Sequence, residues 1–239
     1  MICICLEMQK FVLFNRKSAN INKTKALPFK KRKMGSIIKA DGTSKEVNLM
    51  IIQSKRVWVL GQFLEAQVEV VDGKIANILP YGAKTADKDY GDKRIVPGFI
   101  DIHTHGAYGF DTNDAEEEGL RNWMKHIPEE GVTAICPTTI TQTEEVLTKA
   151  VANVAKVVEE GYEGAEILGI HFEGPYLDMV YKGAQPEQCI VKPDVEQFKR
   201  YQEAAHGLIK IITMATEKDE DFKLTKYCAE NGVVVSIGH

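Results

Sequence analysis

Four side chains in the sequence are of the types that bind metal ions, and each lies at the end of an apolar segment. His103 and His105 form an H-x-H pair, Glu173 ends a later apolar run, and His239 ends another. Neutral imidazole is the commonest metal ligand in proteins, and mixed histidine and carboxylate ligands suit Zn, Fe(II), Mn or Co. A carboxylate can bridge two such cations, which acidify a shared water and polarise a carbonyl or phosphoryl oxygen. These residues predict one or two divalent metal ions and a hydrolytic reaction.

Apolar strand-like and amphipathic helix-like segments alternate from residue 99 onward. The predicted strands are 99–103, 132–139, 167–173, 208–216 and 233–239, and the predicted helices are 115–129, 144–160, 193–205 and 219–231. Continuously apolar strands separated by helices, in steps of about 35 residues, are typical of an α/β fold with a parallel sheet. Functional groups gather at the carboxyl ends of such strands. We therefore expect the four candidate ligands to face one rim of the sheet.

Two folds fit this alternation, an open doubly wound sheet and a (βα)8 TIM-type barrel. The candidate ligands stand at alternate strand ends, which favours the barrel, with about its first five strands and four helices present. His171 shares a strand face with Glu173 and is either a partner of the ligands or a hydrogen-bonded core residue. We expect His126 and His206, on or at the ends of helices, to have surface or packing roles.

The predicted barrel portion covers residues 98–239. The residues before it divide into two parts. Residues 1–49 contain 11 Lys or Arg and three acidic residues, a net charge of +8 in a chain of −4. We expect a basic extension there that is disordered or artefactual. Residues 50–97 predict a small β module with a hairpin turn at Asp72-Gly73. Its predicted strands are 50–53, 56–60, 67–71 and 74–79.

The composition excludes several classes of protein. The 239 residues, 44% of them hydrophobic, are enough for one sizeable core, or for one core and a small satellite. The net charge of −4 argues against a dedicated nucleic-acid binder, and no segment approaches the roughly 20 apolar residues of a membrane-spanning helix. Five scattered cysteines fit a reducing cytoplasm better than a disulfide framework. We expect a cytoplasmic protein with a small-molecule substrate and with no nucleic-acid or membrane partner.

Several motifs carry a resemblance to a known family. The segment PGFIDIHTHG at 97–106 resembles the first-strand signature of the amidohydrolase superfamily. The further motifs are GVT at 131–133 with PTT at 137–139, GIHFEGPYL at 169–177, KGA at 182–184 and SIGH at 236–239. Together they resemble the N-terminal portion of the N-acetylglucosamine-6-phosphate deacetylase family, over residues 50–239. The resemblance implies a (βα)8 barrel with a small β-sandwich, to which 50–97 contributes.

The same resemblance implies an activity and roles for individual residues. The family hydrolyses N-acetylglucosamine 6-phosphate to glucosamine 6-phosphate and acetate, and we expect the full-length form to be a homodimer. His103 and His105 match the ligands of one metal ion. Glu173 matches the glutamate that bridges two ions, and His239 matches a ligand of the second. Ala184 and Gln185 fall where the family contacts the sugar.

Two further groups of this family lie on strands later than the fifth. They are a metal-binding histidine on the sixth strand and, on the eighth, an aspartate that binds metal and transfers protons. We therefore expect no proton-transferring catalytic residue within these 239 residues and little or no activity of this chain alone. General acid–base catalysis contributes about 10² to 10⁴ in rate.

Two other functions stay open at this point. One is another amidohydrolase, of the dihydroorotase, hydantoinase or deaminase type, in some of which a carboxylated lysine replaces the glutamate ligand. The EGP sequence that starts at Glu173 argues against this alternative. The other is a non-catalytic metal-binding or partner-binding fragment. Metal content tests the ligand set, because substitution of His103 or Glu173 should remove the metal.

Overall fold

A computed structural model of the protein describes residues 44–239, with side chains from residue 48, and three earlier strand segments, 2–4, 11–13 and 32–38. These residues divide into two units. The first unit runs to Phe99 and includes Ile127–Thr133, and the second consists of Ile100–His126 and Ala134–His239. The disordered or artefactual extension expected over 1–49 falls largely outside the described residues and stays a prediction.

The first unit is built on one β-sheet. Its described strands are β1 (Ile2–Ile4), β2 (Phe11–Leu13), β3 (Arg32–Ile38), β4 (Ser44–Val59), β5 (Gln62–Val71), β6 (Lys74–Pro80), β7 (Lys88–Asp89) and β8 (Arg94–Pro97). They pair in the order β2-β1-β8-β4-β5-β6, and β3 and β7 also pair with β4. The buried side chains of Ile52, Val57, Val68 and Ile95 pack with Tyr90 to form the core of this unit.

Two tight turns connect the long antiparallel strands of this sheet. Leu60 and Gly61 join β4 to β5 with φ values of 47° and 89°, and Asp72 and Gly73 join β5 to β6 with 49° and 83°. Positive φ at both central residues is typical of the type I′ turn, whose twist matches that of the flanking strands. The hairpin predicted at Asp72-Gly73 is confirmed.

Strand β4 is longer than the sequence predicted. The segments 50–53 and 56–60, predicted as two strands, fall in one continuous strand that ends at Val59 and whose register against β5 shifts between Ser54 and Val57. The buried Ser54 hydroxyl accepts a hydrogen bond from the backbone N–H of Arg56 at 3.0 Å and donates to the carbonyl of Gly91. Ser54, which lies between the two predicted strands, therefore satisfies backbone groups at an irregular point within one strand.

The second unit alternates strands and helices. Its strands are β9 (Phe99–Thr104), β10 (Gly106–Ala107), β11 (Phe110–Asp111), β12 (Val132–Thr139), β13 (Glu166–Ile167), β14 (Ile170–Glu173), β15 (Ile209–Met214) and β16 (Val234–Ile237). The first residue of β9 and the first two of β12 are counted with the first unit. Its α-helices are α1 (Glu117–His126), α2 (Glu144–Glu160), α3 (Val195–Ala204) and α4 (Lys223–Glu230). The sheet order is β13-β12-β14-β15-β16 with β9 beside β12. The result is an open, curled parallel α/β sheet.

Two elements of this unit have the predicted bounds, and β9, α3, β15 and β16 lie within two residues of theirs. Helix α1 ends three residues before its predicted end. Strand β12 and helix α2 have the predicted residues, and Thr143 caps α2 by accepting a hydrogen bond from the Val146 N–H. The strand predicted over 167–173 is interrupted at Leu168 and Gly169, with a register shift against β15 between Ile170 and His171. The parallel pairing continues on both sides of the interruption.

Helix α4 begins four residues later than the predicted start at Asp219. Asp221 and Phe222 have φ values of 54° and 55°, which an α-helix does not accommodate. The Asp219 carboxylate accepts hydrogen bonds from the N–H groups of Leu224 and Thr225, at 3.1 and 2.8 Å. It thereby satisfies donors of the first helical turn from outside the helix.

In the described part of the chain, the helices lack the length and apolar character needed to cross a lipid bilayer.

Candidate metal centre

Three of the four candidate ligands lie together at the strand ends of the second unit. His103 comes from β9, His105 follows the same strand, and Glu173 is the last residue of β14. One ligand atom from each lies within 4.8 Å of the other two. His105 Nε2 is 3.1 Å and His103 Nε2 is 3.9 Å from Glu173 Oε2. The structure therefore brings this part of the predicted set to one rim.

His239 joins the same carboxylate from the opposite side. It follows β16, and its Nε2 is 2.9 Å from Glu173 Oε1, the oxygen that does not face the H-x-H pair. The two carboxylate oxygens thus meet different histidines. Such an arrangement is compatible with one ion beside each oxygen and a carboxylate shared between them.

The charges at this rim favour a cation. Glu173 is only 4% exposed. Burial disfavours its charged form, but the nearby imidazoles of His105, His103 and His239 outweigh that effect and lower the pKa of the Glu173 carboxyl. The same carboxylate raises the pKa of His105. Glu173 is therefore ionised at neutral pH and provides a buried negative charge with histidines around it.

Two observations show that the donor set fits a metal ion. Glu173 Oε2 is buried and has imidazole nitrogens beside it but no hydrogen bond of good geometry, and such a polar atom is costly unless another group satisfies it. Ligand atoms bound at about 2.1 Å to one tetrahedral ion lie about 3.4 Å apart. The separations of 3.1 and 3.9 Å from Glu173 Oε2 to the two imidazoles bracket that value. A divalent ion would satisfy this carboxylate oxygen.

Three side chains outside the predicted set fix the backbone of the H-x-H segment. Asp101 Oδ1 accepts a hydrogen bond from the His103 N–H at 3.0 Å. Thr138 Oγ1 on β12 accepts one from the N–H of the intervening threonine, also at 3.0 Å. The His105 carbonyl accepts two hydrogen bonds from Thr112, one from its N–H and one from its hydroxyl. An aspartate two residues before the first histidine was the only sequence signal for this support.

The remaining histidines differ in their surroundings. His171 is buried, and both of its ring nitrogens have hydrogen-bond partners. Burial lowers the pKa of His171. His206 is exposed and pairs with Glu159 on the surface of the unit, and His126 lies at the end of α1 beside the ring of Tyr108. His126 and His206 lie outside the cluster.

The predicted sugar-contacting residues lie in a loop beside His239. A Cβ placed on Gly183 would come within 3.7 Å of the His239 ring. Ala184 is exposed, whereas Gln185 is buried and its Oε1 accepts a hydrogen bond from the Thr141 N–H at 2.9 Å. The amide oxygen of Gln185 therefore holds the backbone that follows the end of β12.

A second loop contact holds His239 from the backbone. The N–H of Asp178 donates to the His239 carbonyl at 2.8 Å. The Asp178 carboxylate is buried, pairs with Lys218 and accepts a hydrogen bond from the Val180 N–H. This ion pair joins the loop after β14 to the segment after β15 and fixes the position of the residue that follows β16.

A cavity of 570 Å³ opens beside the H-x-H pair. Its walls are His103–Ala107, Gly109–Asp111 and Asp114. Both imidazoles and the short hairpin of β10 and β11 contribute to this lining. A small polar molecule can therefore approach the imidazoles from this side.

The glycine that follows Glu173 is required by the turn at the strand end. Gly174 has φ +72°, and a Cβ at this position would lie 1.9 Å from Thr141 Oγ1. We expect Gly174→Ala to lower the free energy of unfolding by about 2 kcal/mol or more, because left-handed backbone strain and overpacking add. Urea unfolding measures this loss.

Gly207→Ala is the matched control for that substitution. Gly207 has φ +77° but nothing within 4 Å of the added Cβ, so it carries the backbone strain without the clash. We expect a loss of about 1 kcal/mol there. Equal losses at the two positions would contradict a contribution from the Thr141 contact.

Comparisons with known proteins agree on one family. The sequence model of the Amidohydrolase family matches residues 94–226. The chain is 41% identical over 181 residues to the N-acetylglucosamine-6-phosphate deacetylase of Bacillus subtilis (strain 168), which covers 72% of this chain and 45% of the relative. It is 32% identical over 157 residues to the enzyme of the same name from Homo sapiens, covering 64% and 38%. The chain spans about half the length, or less, of these curated relatives.

A solved structure shows the same likeness in three dimensions. It is a mutant of the N-acetyl-D-glucosamine-6-phosphate deacetylase from Mycobacterium smegmatis, in complex with N-acetyl-D-glucosamine-6-phosphate. The TM-score is 0.73 at 26% sequence identity, and the match covers 80% of this chain and 50% of that one.

Proposed function

Because the chain belongs to the amidohydrolase family, whose members generally depend on divalent metal, we propose that it provides the first half of the active site of a metal-dependent deacetylase. The substrate would be N-acetylglucosamine 6-phosphate, and the products glucosamine 6-phosphate and acetate. The observation that carries the proposal is the Glu173 carboxylate, which lies between the H-x-H pair on one side and His239 on the other. The 41% identity to the Bacillus subtilis relative supports the choice of substrate.

In this proposal the four side chains are the metal ligands. His103 and His105 would hold one ion, His239 would help to hold a second, and Glu173 would contribute to both; the metal would be Zn, Fe(II), Mn or Co. Divalent metal supplies Lewis acidity toward the acetyl carbonyl and toward water. Glu173 provides the fixed negative charge for this, since its pKa is lowered and it is ionised at neutral pH.

The remaining residues of the site would bind and orient the sugar. Ala184 and Gln185 lie in the loop next to His239, and a Cβ on Gly183 would be in ordinary van der Waals contact with the imidazole. This loop can therefore contact the sugar beside that ligand. The cavity beside the H-x-H pair gives the acetamide a path to the ligands. The family resemblance assigns the proton-transferring aspartate and a further histidine to later strands.

The architecture proposed for the complete enzyme follows the same resemblance. The curled sheet of the second unit would be the first five strands of a (βα)8 barrel, with β13 and β14 as one interrupted strand. Residues 50–97 would form part of a small β-sandwich. We further propose a cytoplasmic homodimer with a sugar-phosphate substrate and with no nucleic-acid or membrane partner.

A hybrid enzyme tests the proposed activity. Residues 50–239 of this chain would replace the aligned first half of the Bacillus subtilis relative. We expect the hybrid to release acetate from N-acetylglucosamine 6-phosphate. Glu173→Ala in the hybrid should lower the rate by about 100-fold or more, because metal catalysis contributes several kcal/mol and each 1.36 kcal/mol is about tenfold in rate.

His206→Ala is the control for this assay, since His206 is an exposed histidine away from the cluster. It should leave the rate of acetate release unchanged. A hybrid that folds cooperatively and binds metal, yet releases no acetate from this substrate, would contradict the proposed activity.

A further inference from the structure

His171 makes contacts that join three strands of the curled sheet. It lies on β14, and its Nδ1 is 2.6 Å from the carbonyl oxygen of Ile102 on β9. Its Nε2 is 2.7 Å from Thr213 Oγ1 on β15. Strands β9 and β14 are not neighbours, because β12 lies between them. Neighbouring strands are about 4.8 Å apart, so β9 and β14 are too far apart to form backbone hydrogen bonds with each other. The imidazole of His171 links them instead.

The chemistry of the two partners fixes the direction of both hydrogen bonds for a neutral ring. The Ile102 carbonyl can only accept, so Nδ1 carries the proton and donates it. The other nitrogen, Nε2, then accepts from the Thr213 hydroxyl. His171 and Thr213 are 4% and 6% exposed, so water cannot easily replace either partner. Neither ring nitrogen of His171 is free to bind a metal ion.

The contacts of His171 lead directly to the candidate ligands. Ile102 is the residue before His103, and the rings of His171 and His103 meet edge to face, with centroids 4.7 Å apart. Thr213 is the register partner of Glu173 in the pairing of β14 with β15. His171 therefore contacts β9 at the residue just before His103. Thr213 lies on β15 directly beside Glu173.

We propose that His171 and Thr213 are positioning residues, which hold His103 and Glu173 at the separation that a metal ion requires. The inference rests on the proposed metal site. The Ile102 carbonyl sets the tautomer of the His171 ring, and Thr213 fixes its orientation. The ring holds β9 through the Ile102 carbonyl, and its edge fixes the rotation of the His103 imidazole. Groups that orient metal ligands typically change metal affinity by about 10- to 100-fold when removed.

Cobalt binding to the full chain tests this role. The chain is freed of metal with a chelator and titrated with Co²⁺, by calorimetry for affinity and stoichiometry and by visible absorption for ligand geometry. We expect Thr213→Val to raise the Kd for Co²⁺ by about 10- to 100-fold, to alter the absorption bands, and to keep the number of ions bound. Thr213→Ser, which keeps the hydroxyl, should restore both the affinity and the spectrum.

Thr148→Val is the matched control, because the Thr148 hydroxyl donates to the Glu144 carbonyl within α2, away from the site. It should leave the Kd and the spectrum unchanged. His171→Asn is a second test of the pair and should weaken binding at unchanged stoichiometry. Melting of each metal-free variant shows that it is folded.

The outcomes separate this inference from the proposed function. An unchanged Kd and spectrum in Thr213→Val would overturn the positioning role and leave the metal site intact. Loss of a whole equivalent of Co²⁺ in His171→Asn would also overturn it, because His171 would then be a ligand. A wild-type chain that binds no Co²⁺ would overturn the metal site and the inference together.

Discussion

Replacing Glu173 with alanine is expected to abolish tight binding of divalent metal ions. The carboxylate is the one negatively charged member of the cluster, and its two oxygens face different histidines. Its removal takes a ligand from each side of the site at once. We expect a larger rise in Kd than the 10- to 100-fold that is typical when a group behind a ligand is lost.

The experiment compares alanine with glutamine at this position. Glu173→Gln keeps the size of the side chain and an oxygen that can meet His239, but removes the charge. Metal content after dialysis and titration with Zn²⁺ or Mn²⁺ should show loss of binding in both variants. The metal-free glutamine variant should melt near the wild-type temperature, which separates loss of the site from loss of the fold.

A control and a contrary result complete the test. Glu220→Ala removes an exposed glutamate that pairs with Lys223, and it should bind metal as the wild type does. His103→Ala should also lose metal. Undiminished binding in both Glu173→Ala and His103→Ala would show that the proposed ligand set is wrong.

Replacing Trp123 with alanine is expected to cause the largest loss of stability. Trp123 lies on the buried face of α1 with Leu120 and Met124, and all three are 0% exposed. Its ring packs beside Phe110, with centroids 6.1 Å apart. Truncation of a buried tryptophan typically costs about 3 to 5 kcal/mol, a large share of the roughly 5 to 15 kcal/mol that stabilises a domain. Urea unfolding followed by circular dichroism measures the difference.

Two further variants test the cause of that loss. The indole Nε1 of Trp123 is buried without a hydrogen-bond partner, so Trp123→Phe removes an unsatisfied donor and should cost much less than alanine. Trp58 is 42% exposed, and Trp58→Ala should cost less than about 1 kcal/mol. Similar losses for Trp58→Ala and Trp123→Ala would show that burial does not determine the effect.

The local pattern of the sequence was sufficient to predict the helices and strands that have strong boundaries. Strand β12 is a run of apolar residues and threonines that is buried along nearly its whole length, and α2 has a capping threonine and a regular apolar face, so both have the predicted bounds. The turn at Leu60 was not predicted, because leucine rarely adopts a positive φ. The side chain of Asp219 caps α4 by accepting a hydrogen bond from an N–H five residues away. The periodicity of apolar residues cannot predict a cap of this kind.

The candidate site was predictable as a set of residues but not as an arrangement. Strand ends indicated that His103, Glu173 and His239 share a rim, because parallel strands end at the same edge. The roles of His171 and Gln185 depend on partners that are 69, 42 and 44 residues away in the chain. No local pattern encodes such distant hydrogen bonds, and the sequence therefore left His171 undecided.

Two of the candidate ligands, His103 and His239, come from the first and last strands of the described parallel sheet in chain order, and Glu173 comes from a strand between them. This has a consequence for the order of folding. His103 and His239 can meet Glu173 only after β9, β14 and β16 have all assembled. An ion held there stabilises the completed unit alone, by about 2.7 kcal/mol at a hundredfold excess over Kd. Bound metal would therefore slow unfolding of the whole unit and the proteolysis that requires this unfolding. It would leave the early collapse of the unfolded chain unaffected.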